Sequence, residues 1–193
     1  MFKSSILTTL LVFVICGFVY PILTTAVGQT CYHYQANGSL IKDNGKIVGS
    51  ERIGQDFTSP YYLHGRPSPH HYSSYPVTEN PDHIQPVTGG TNLSNQNQTL
   101  LDRVAKDRKT FSQNNGVQTN DVPVNILTAS GSGLDSQITK QAANMQIHRI
   151  AKHSGLSITT IQSIIDNHTL HQSESDIVNV LAVNLDIKHA MHR

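Results

Sequence analysis

The sequence predicts an α+β fold: one N-terminal transmembrane helix followed by a single compact extracytoplasmic α+β domain. Three observations carry this. No Asp, Glu, Lys or Arg falls between Lys3 and Lys42. A hairpin signature, Asp43-Asn44-Gly45 between apolar runs, follows directly. Beyond residue 98, apolar residues recur at helical spacing in several short segments. The expected division is 1–28 as cytoplasmic N-terminus and membrane helix, 29–38 as a polar stalk, and 39–193 as the exported domain.

The apolar stretch runs from Ile6 to Val27. As a helix it reaches about 33 Å, the hydrocarbon thickness of a bilayer. A single segment can satisfy its own backbone there only as a helix. Pro21 is expected to kink it, which suits packing against other helices. A cleaved signal, cut before Gln29 after Ala26 and Gly28, would carry a shorter apolar core. A lipoprotein would need a small residue before Cys16, where Ile15 stands. Cys16 then reads as an ordinary buried thiol. Cys16 and Cys31 lie about 22 Å apart along such a helix and cannot pair. Lys3 and the amino terminus precede the helix, and no basic residue follows until Lys42, so the positive-inside rule keeps the N-terminus in the cytoplasm. Gly17, Thr24 and Thr25, with Thr8 and Thr9, are small residues suited to close contact with partner helices.

In the outer domain, Ser39–Lys42 and Lys46–Ile53 are the arms of the hairpin. Residues 54–98 are rich in Gly, Pro, Ser, Asn, Tyr and His and show no period, so they read as an ordered, irregular binding surface. A helix is expected over 99–110, with Leu100, Leu101, Val104 and Phe111 on one side and an Asp102/Lys106 pair. A strand is expected over Val122–Thr128. The turn Ala129-Ser130-Gly131-Ser132-Gly133 leads to a helix from Thr139, its N-cap, to His153, stopped by Gly155, with Ile147, Ile150 and Ala151 inward. A further helix covers 157–168 with Ile158, Ile161, Ile164 and Ile165 inward. Ile177–Leu185 fits strand and helix templates equally.

Composition removes several functions. Only 14% of residues are charged, the net charge is +1, and the 14 Lys and Arg are dispersed, so a nucleic-acid partner is not expected. Two Cys cannot build a disulfide framework or a Cys-rich zinc module. The 11 His include the adjacent His70-His71 and the pair His168/His171, which could share a helix face. Neither pair has a carboxylate or Cys cluster beside it in sequence, so no metal is expected. No Gly-x-Ser-x-Gly or His-Glu-x-x-His motif is present, so no catalytic residue is assigned. The Asn-x-Ser/Thr matches at Asn37, Asn92, Asn97 and Asn167 are no more than chance provides in so Asn-, Ser- and Thr-rich a chain.

Several residues can be read two ways. Ser130, Gly131, Ser132 and Gly133 could cradle an anion on backbone N–H groups, but lack the ending of a phosphate loop; alternatively they form a turn needing positive φ. Thr88-Gly89-Gly90-Thr91 reads as a turn, and Gly89 and Gly90 are candidate partner contacts. Arg66, in Gly-Arg-Pro, could reach a partner's carboxylate or carbonyl, or cap an internal loop. Tyr61, Tyr62, Tyr72 and Tyr75 could form a partner-facing rim or pack beneath the loop.

A set of motifs in this order resembles a known family. After the membrane helix come Val48-Gly49-Ser50-Glu51-Arg52-Ile53-Gly54-Gln55, Tyr61-Tyr62-Leu63-His64-Gly65-Arg66-Pro67-Ser68, and Thr88-Gly89-Gly90-Thr91-Asn92-Leu93. Val122 to Asp135 is the longest; Gln146, Arg149, Ile150 and Ala151 follow, then Val178-Asn179-Val180-Leu181 with Asn184-Leu185. Together they resemble the C subunit of Kdp-type potassium-transporting ATPase complexes. The chain departs where Ser136-Gln137-Ile138-Thr139 replaces the family's Pro-His-Ile-Ser, at Thr88 and Thr91, where Ser and Thr interchange, and over 75–87. The resemblance implies a non-catalytic, single-pass subunit of a bacterial or archaeal cytoplasmic membrane. Its implied partners are a channel-like potassium-binding subunit and a P-type ATPase subunit. It implies a role in assembly and an assisting role in ATP binding by the pump subunit, with no cofactor bound by this chain itself. An exported domain cannot touch cytoplasmic ATP, so any such assistance is expected to act at a distance. The other class the residues allow is a stand-alone membrane-anchored enzyme or ligand-binding protein of the cell envelope.

Overall fold

The computed structural model describes residues 2–74 and 87–192. They form two compact units, 1–41 and 42–193.

The first unit is one apolar helix, 30 residues long from Phe2 to Cys31, with none of its residues buried. It is α1 (Phe2–Val14), a π-helical turn over Ile15–Val19, and α2 (Tyr20–Cys31). The π turn answers the expectation of a proline kink. Pro21 has no N–H, and in an unbroken α-helix its ring presses on the carbonyl four residues back, that of Gly17. Here the preceding turn widens, and the Tyr20 N–H donates to the Ile15 carbonyl, five residues back. The helix also extends further than the sequence suggested: it includes Gln29–Cys31, read as stalk, and a one-turn helix α3 (His33–Ala36) follows. Cys16 and Cys31 are both free and exposed.

The second unit is α+β. The predicted hairpin forms as β1 (Leu40–Asp43) and β2 (Lys46–Ser50), the unit boundary falling within β1. Asn44 and Gly45 take positive φ, 49° and 79°, as a two-residue turn requires. Residues 54–74 and 87–97 are irregular, as expected; Tyr75 lies outside the described residues.

The helix α4 (Gln98–Asn115) is longer than expected, with Asn97 as N-cap and Gly116, φ 65°, closing it. Leu101 does not face inward but is exposed. The ion pair along α4 is Arg103–Asp107 (2.8 Å), while Asp102 accepts from Gln98 instead of meeting Lys106.

The strand expected at Val122–Thr128 is absent from that segment, which forms a 3-10 turn over Val124–Ile126. Pro123 brings no donor for a ladder, and the N–H groups of Ile126 and Leu127 bond back to Pro123 and Val124. Val122, Ile126 and Leu127 are buried while Val124 is exposed, a spacing a strand cannot produce.

The expected 139–153 helix is preceded by a strand and broken in two: β3 (Gln137–Thr139), α5 (Lys140–Asn144) and α6 (Ile147–Ser154). Thr139 caps α5 and Gly155, φ 75°, ends α6, as read from sequence. Helix α7 (Ile158–Asn167) buries Ile161, Ile164 and Ile165, but Ile158 in its first turn is exposed. After β4 (Thr169–Leu170), the ambiguous segment resolves as both templates in turn. It is β5 (Ile177–Asn179), then α8 (Val180–Met191), with the Asn179 side chain accepting from the Ala182 N–H as N-cap. The antiparallel sheet has the order β3-β5-β4, with Ile138 opposite Val178. Helices α5 to α8 and this sheet enclose a core of Ile138, Ile147, Ile150, Ile161, Ile165, Val178, Val183 and Ile187.

Candidate functional site

Among the described residues, the irregular segment 54–68 pairs with no strand, so its buried backbone groups need other partners. Side chains from two helices and the turn between α5 and α6 supply them. Asn184 on α8 accepts from the Leu63 N–H (2.7 Å) and donates to the Leu63 carbonyl (2.9 Å). Gln146, between α5 and α6, accepts from the His64 N–H (2.9 Å) and donates to its carbonyl (3.1 Å). Arg149 on α6 donates to the carbonyls of Pro60 (2.5 Å) and Tyr62 (2.9 Å), to Asn115 (2.9 Å) and to Gln146 (2.7 Å). These amide and guanidinium groups take the place of a neighbouring strand.

Arg149 is 6% exposed and, among the described residues, has no carboxylate as a hydrogen-bond partner. Burial pulls its pKa down to about 10, so the guanidinium stays charged at neutral pH. His64 is held below the usual imidazole range, first by burial and then by Arg149, while Ser59 and Asp56 oppose that shift. Gln146 and Asn184 are almost fully buried. Gln146, Arg149 and Asn184 are not among the site residues expected from the sequence. Their signal was present: Gln146 and Arg149 are polar residues on the stripe that carries Ile150, and Asn184 interrupts the apolar run of α8.

Arg66 turns inward. It donates to Asp135 (2.8 Å) and to the carbonyls of Thr128 (3.2 Å) and Ala129 (3.3 Å). The internal-cap alternative therefore describes its geometry. The Gly-rich turn is likewise closed upon itself. Gly133 N–H donates to Ser130 Oγ (3.0 Å) and Leu134 N–H to Ser132 Oγ (3.1 Å), so these two N–H groups are not directed at an anion. Gly133 takes φ 67°, the positive angle the turn reading required.

Gly89 and Gly90 lie on this turn. Gly89 N–H (2.7 Å) and Thr88 Oγ1 (2.9 Å) both donate to the Ser132 carbonyl. A Cβ on Gly90 would stand 3.0 Å from the Ser130 carbonyl, and one on Gly133 would stand 2.6 Å from that of Gly89. Ser68 Oγ completes the junction at the Gly133 carbonyl (2.7 Å). Motifs far apart in sequence thus meet in one knot.

Of the tyrosines, Tyr61 and Tyr62 stack edge-to-face (4.6 Å between centroids), and Phe57 meets Tyr62 at 5.4 Å. Both tyrosines are half-buried, whereas Tyr72 is buried beneath the loop and belongs to no rim. Between 55–72 and the C-terminal half of α4 lies a groove of about 460 Å³. Its floor is Phe57, Phe111, Ile126 and Leu127; Asp56, His64, Arg66 and Asp107 stand around it.

Among the described residues, the histidines do not gather. His168 bonds Asp186 (2.8 Å) and His171 bonds Asp176 (2.9 Å), each on its own rather than on a shared face; His71 pairs with Asp56 (2.7 Å) and His189 with Asp43 (3.0 Å). Among the described residues, no three His, Cys, Asp or Glu side chains come together as an ion site. In the apolar helix, Thr24 Oγ1 is satisfied by the carbonyls of Tyr20 (2.9 Å) and Pro21 (3.0 Å), and a Cβ on Gly17 would meet nothing within 4 Å.

The family model described as "K+-transporting ATPase, c chain" matches residues 2–189, the apolar helix and nearly the whole folded unit. The chain belongs to the KdpC family. Family relatives include the potassium-transporting ATPase KdpC subunit of Clostridium kluyveri, 39% identical over 96% of this chain and 91% of that protein. The KdpC subunit of Clostridioides difficile is 39% identical over 96% of this chain and 95% of that one. KdpC subunit 2 of Staphylococcus aureus is 39% identical over 96% of each. The family match therefore covers both the helix and the knot of Ser68, Gly89 and Ser132.

Proposed function

We propose that the chain is a single-pass accessory subunit of a potassium-transporting ATPase, without an active site of its own. The observation that carries this is the family match over residues 2–189 together with one apolar helix long enough to cross a bilayer. In this reading the helix lies in a bacterial or archaeal cytoplasmic membrane with the N-terminus inside, and the α+β unit is outside. Gly17 and the neighbouring Thr24 and Thr25 face helices of the partner subunits. The outer domain docks on the channel-like, potassium-binding subunit through the irregular surface around Tyr61, Tyr62, Gly89 and Gly90. A net charge of only +1 suits a cap that must not repel an arriving cation. The role is assembly and stabilisation. Any effect on ATP affinity of the P-type subunit then crosses the membrane as a coupling free energy of about 1–3 kcal/mol.

Purification from native membranes in mild detergent tests this. Co-purification with two larger membrane proteins is expected; a lone monomer with an activity of its own would instead make it a stand-alone envelope protein. A reporter fused after Arg193 is expected on the outer side, and a cytoplasmic signal would overturn the orientation.

A further inference from the structure

Tyr72 occupies a slot shaped around its ring. It is 5% exposed although it lies in the irregular segment. Two glycines make the room. A Cβ on Gly54 would stand 2.5 Å from Tyr72 Cε1, and a Cβ on Gly65 would stand 2.7 Å from the phenolic oxygen. The hydroxyl donates to the Arg66 carbonyl.

The walls are anchored without Tyr72. Gly54 N–H donates to the Leu134 carbonyl (2.9 Å), and Arg66 is fixed on Asp135 and Thr128. The next residue before Gly65, His64, is gripped through both backbone groups by Gln146.

The backbone that carries the ring is tied at the Tyr72 N–H to Ser68 Oγ and at Ser73 Oγ to Val87, and it is strained. His71, Tyr72 and Ser73 have φ of 46°, 55° and 55°, left-handed at three consecutive non-glycine positions. Such conformations persist only where the surroundings impose them, and they gather at clamps and switches. The receptor is relaxed and its occupant is strained. The groove supplies a way in, because Gly65, Arg66 and Tyr72 are all on its wall.

We propose that Tyr72 is a displaceable plug, and that the slot bounded by Gly54, Gly65 and the Arg66 carbonyl is a binding site. Its ligand is a phenol ring with its hydroxyl donor, brought by a tyrosine side chain of a protein partner. The ring's faces and edge fill the space the glycines leave, and its O–H replaces the bond to Arg66. This stands on the slot's geometry alone, whichever complex the chain joins.

The test uses the full chain in detergent, with p-cresol, the tyrosine side chain as a free molecule, as probe. Tyr72→Gly is expected to lower Tm, and p-cresol to restore it saturably, with toluene, which lacks the donor, at least fivefold weaker. Wild type at the same concentrations corrects for effects on the micelle. In the untouched protein, the Tyr72 amide, bonded to Ser68 Oγ at 2.9 Å, is expected to exchange hydrogen at least tenfold faster than the buried amides of α7. A folded Tyr72→Gly chain that ignores p-cresol, or responds equally to toluene, overturns the slot. If that variant does not fold, wild-type exchange decides: a Tyr72 amide that opens only with the whole domain overturns the plug.

Discussion

Gln146 grips His64 by both backbone groups at once, accepting from its N–H at 2.9 Å and donating to its carbonyl at 3.1 Å. Asn184 does the same for the preceding residue, Leu63. Gln146→Leu or Asn184→Leu would leave one buried donor and one buried acceptor without partners. Each is expected to destabilise the domain by about 2–4 kcal/mol, measured by chemical denaturation. A change below experimental error would show that the segment is held by other contacts.

Arg149→Met is expected to cost about 3 kcal/mol or more, because the carbonyls of Pro60 and Tyr62 lose their donor inside the protein. Arg149→Lys should recover only part of that loss, since one ammonium cannot span acceptors that a planar fork reaches together. Equal stability of the Lys variant and wild type would argue against the fork.

His64 gives a pH signature with a defined sign. Its pKa is lower in the folded chain than in the unfolded one. Below the ordinary imidazole range the unfolded chain therefore binds the extra proton first, and stability falls as pH drops through that window. The difference in Tm between wild type and His64→Gln is expected to shift against wild type between pH 7 and pH 5. A pH-independent difference would mean that His64 is not desolvated.

Ile161 and Ile158 separate the two faces of α7. Ile161 is fully buried and Ile158 is 47% exposed. Ile161→Asp places an unpaired carboxylate in the core and should abolish folding; Ile158→Asp should stay soluble with near-native circular dichroism. Equal behaviour of the two would mean that α7 is rotated.

Within the proposed complex, Gly17→Leu should weaken co-purification of the larger subunits several-fold and leave the Tm of the outer domain unchanged. Unaltered recovery of the complex would exclude Gly17 from a helix contact.

Much of the fold is legible where its cause is local. Asn44-Gly45 specifies a hairpin because few other pairs accept two positive φ angles. Thr139, Gly155 and the Ile161/Ile164/Ile165 stripe mark helices by capping and period. The failures lie where tertiary partners decide. Val122–Thr128 is β-rich in composition, but Pro123 cannot join a ladder and the buried residues are not spaced by two. The segment 177–185 fitted both templates because it is both, divided at Asn179. Arg66 was readable as an internal cap or an external contact, and only Asp135, distant in sequence, decides its direction. Gln146, Arg149 and Asn184 stand on apolar faces, and their purpose becomes visible only once a strandless segment with hungry backbone groups lies against them.

The π turn over Ile15–Val19 has a consequence for any neighbour of the apolar helix. A turn closed by a bond to the fifth residue back holds one residue more than its α counterpart. The wider turn absorbs the extra residue within about the same rotation and rise, so the side chains beyond it keep close to the positions that an unbroken α-helix one residue shorter would give them. The helix thus carries Pro21 by widening one turn, and the faces before and after the proline stay in step for whatever lies beside them.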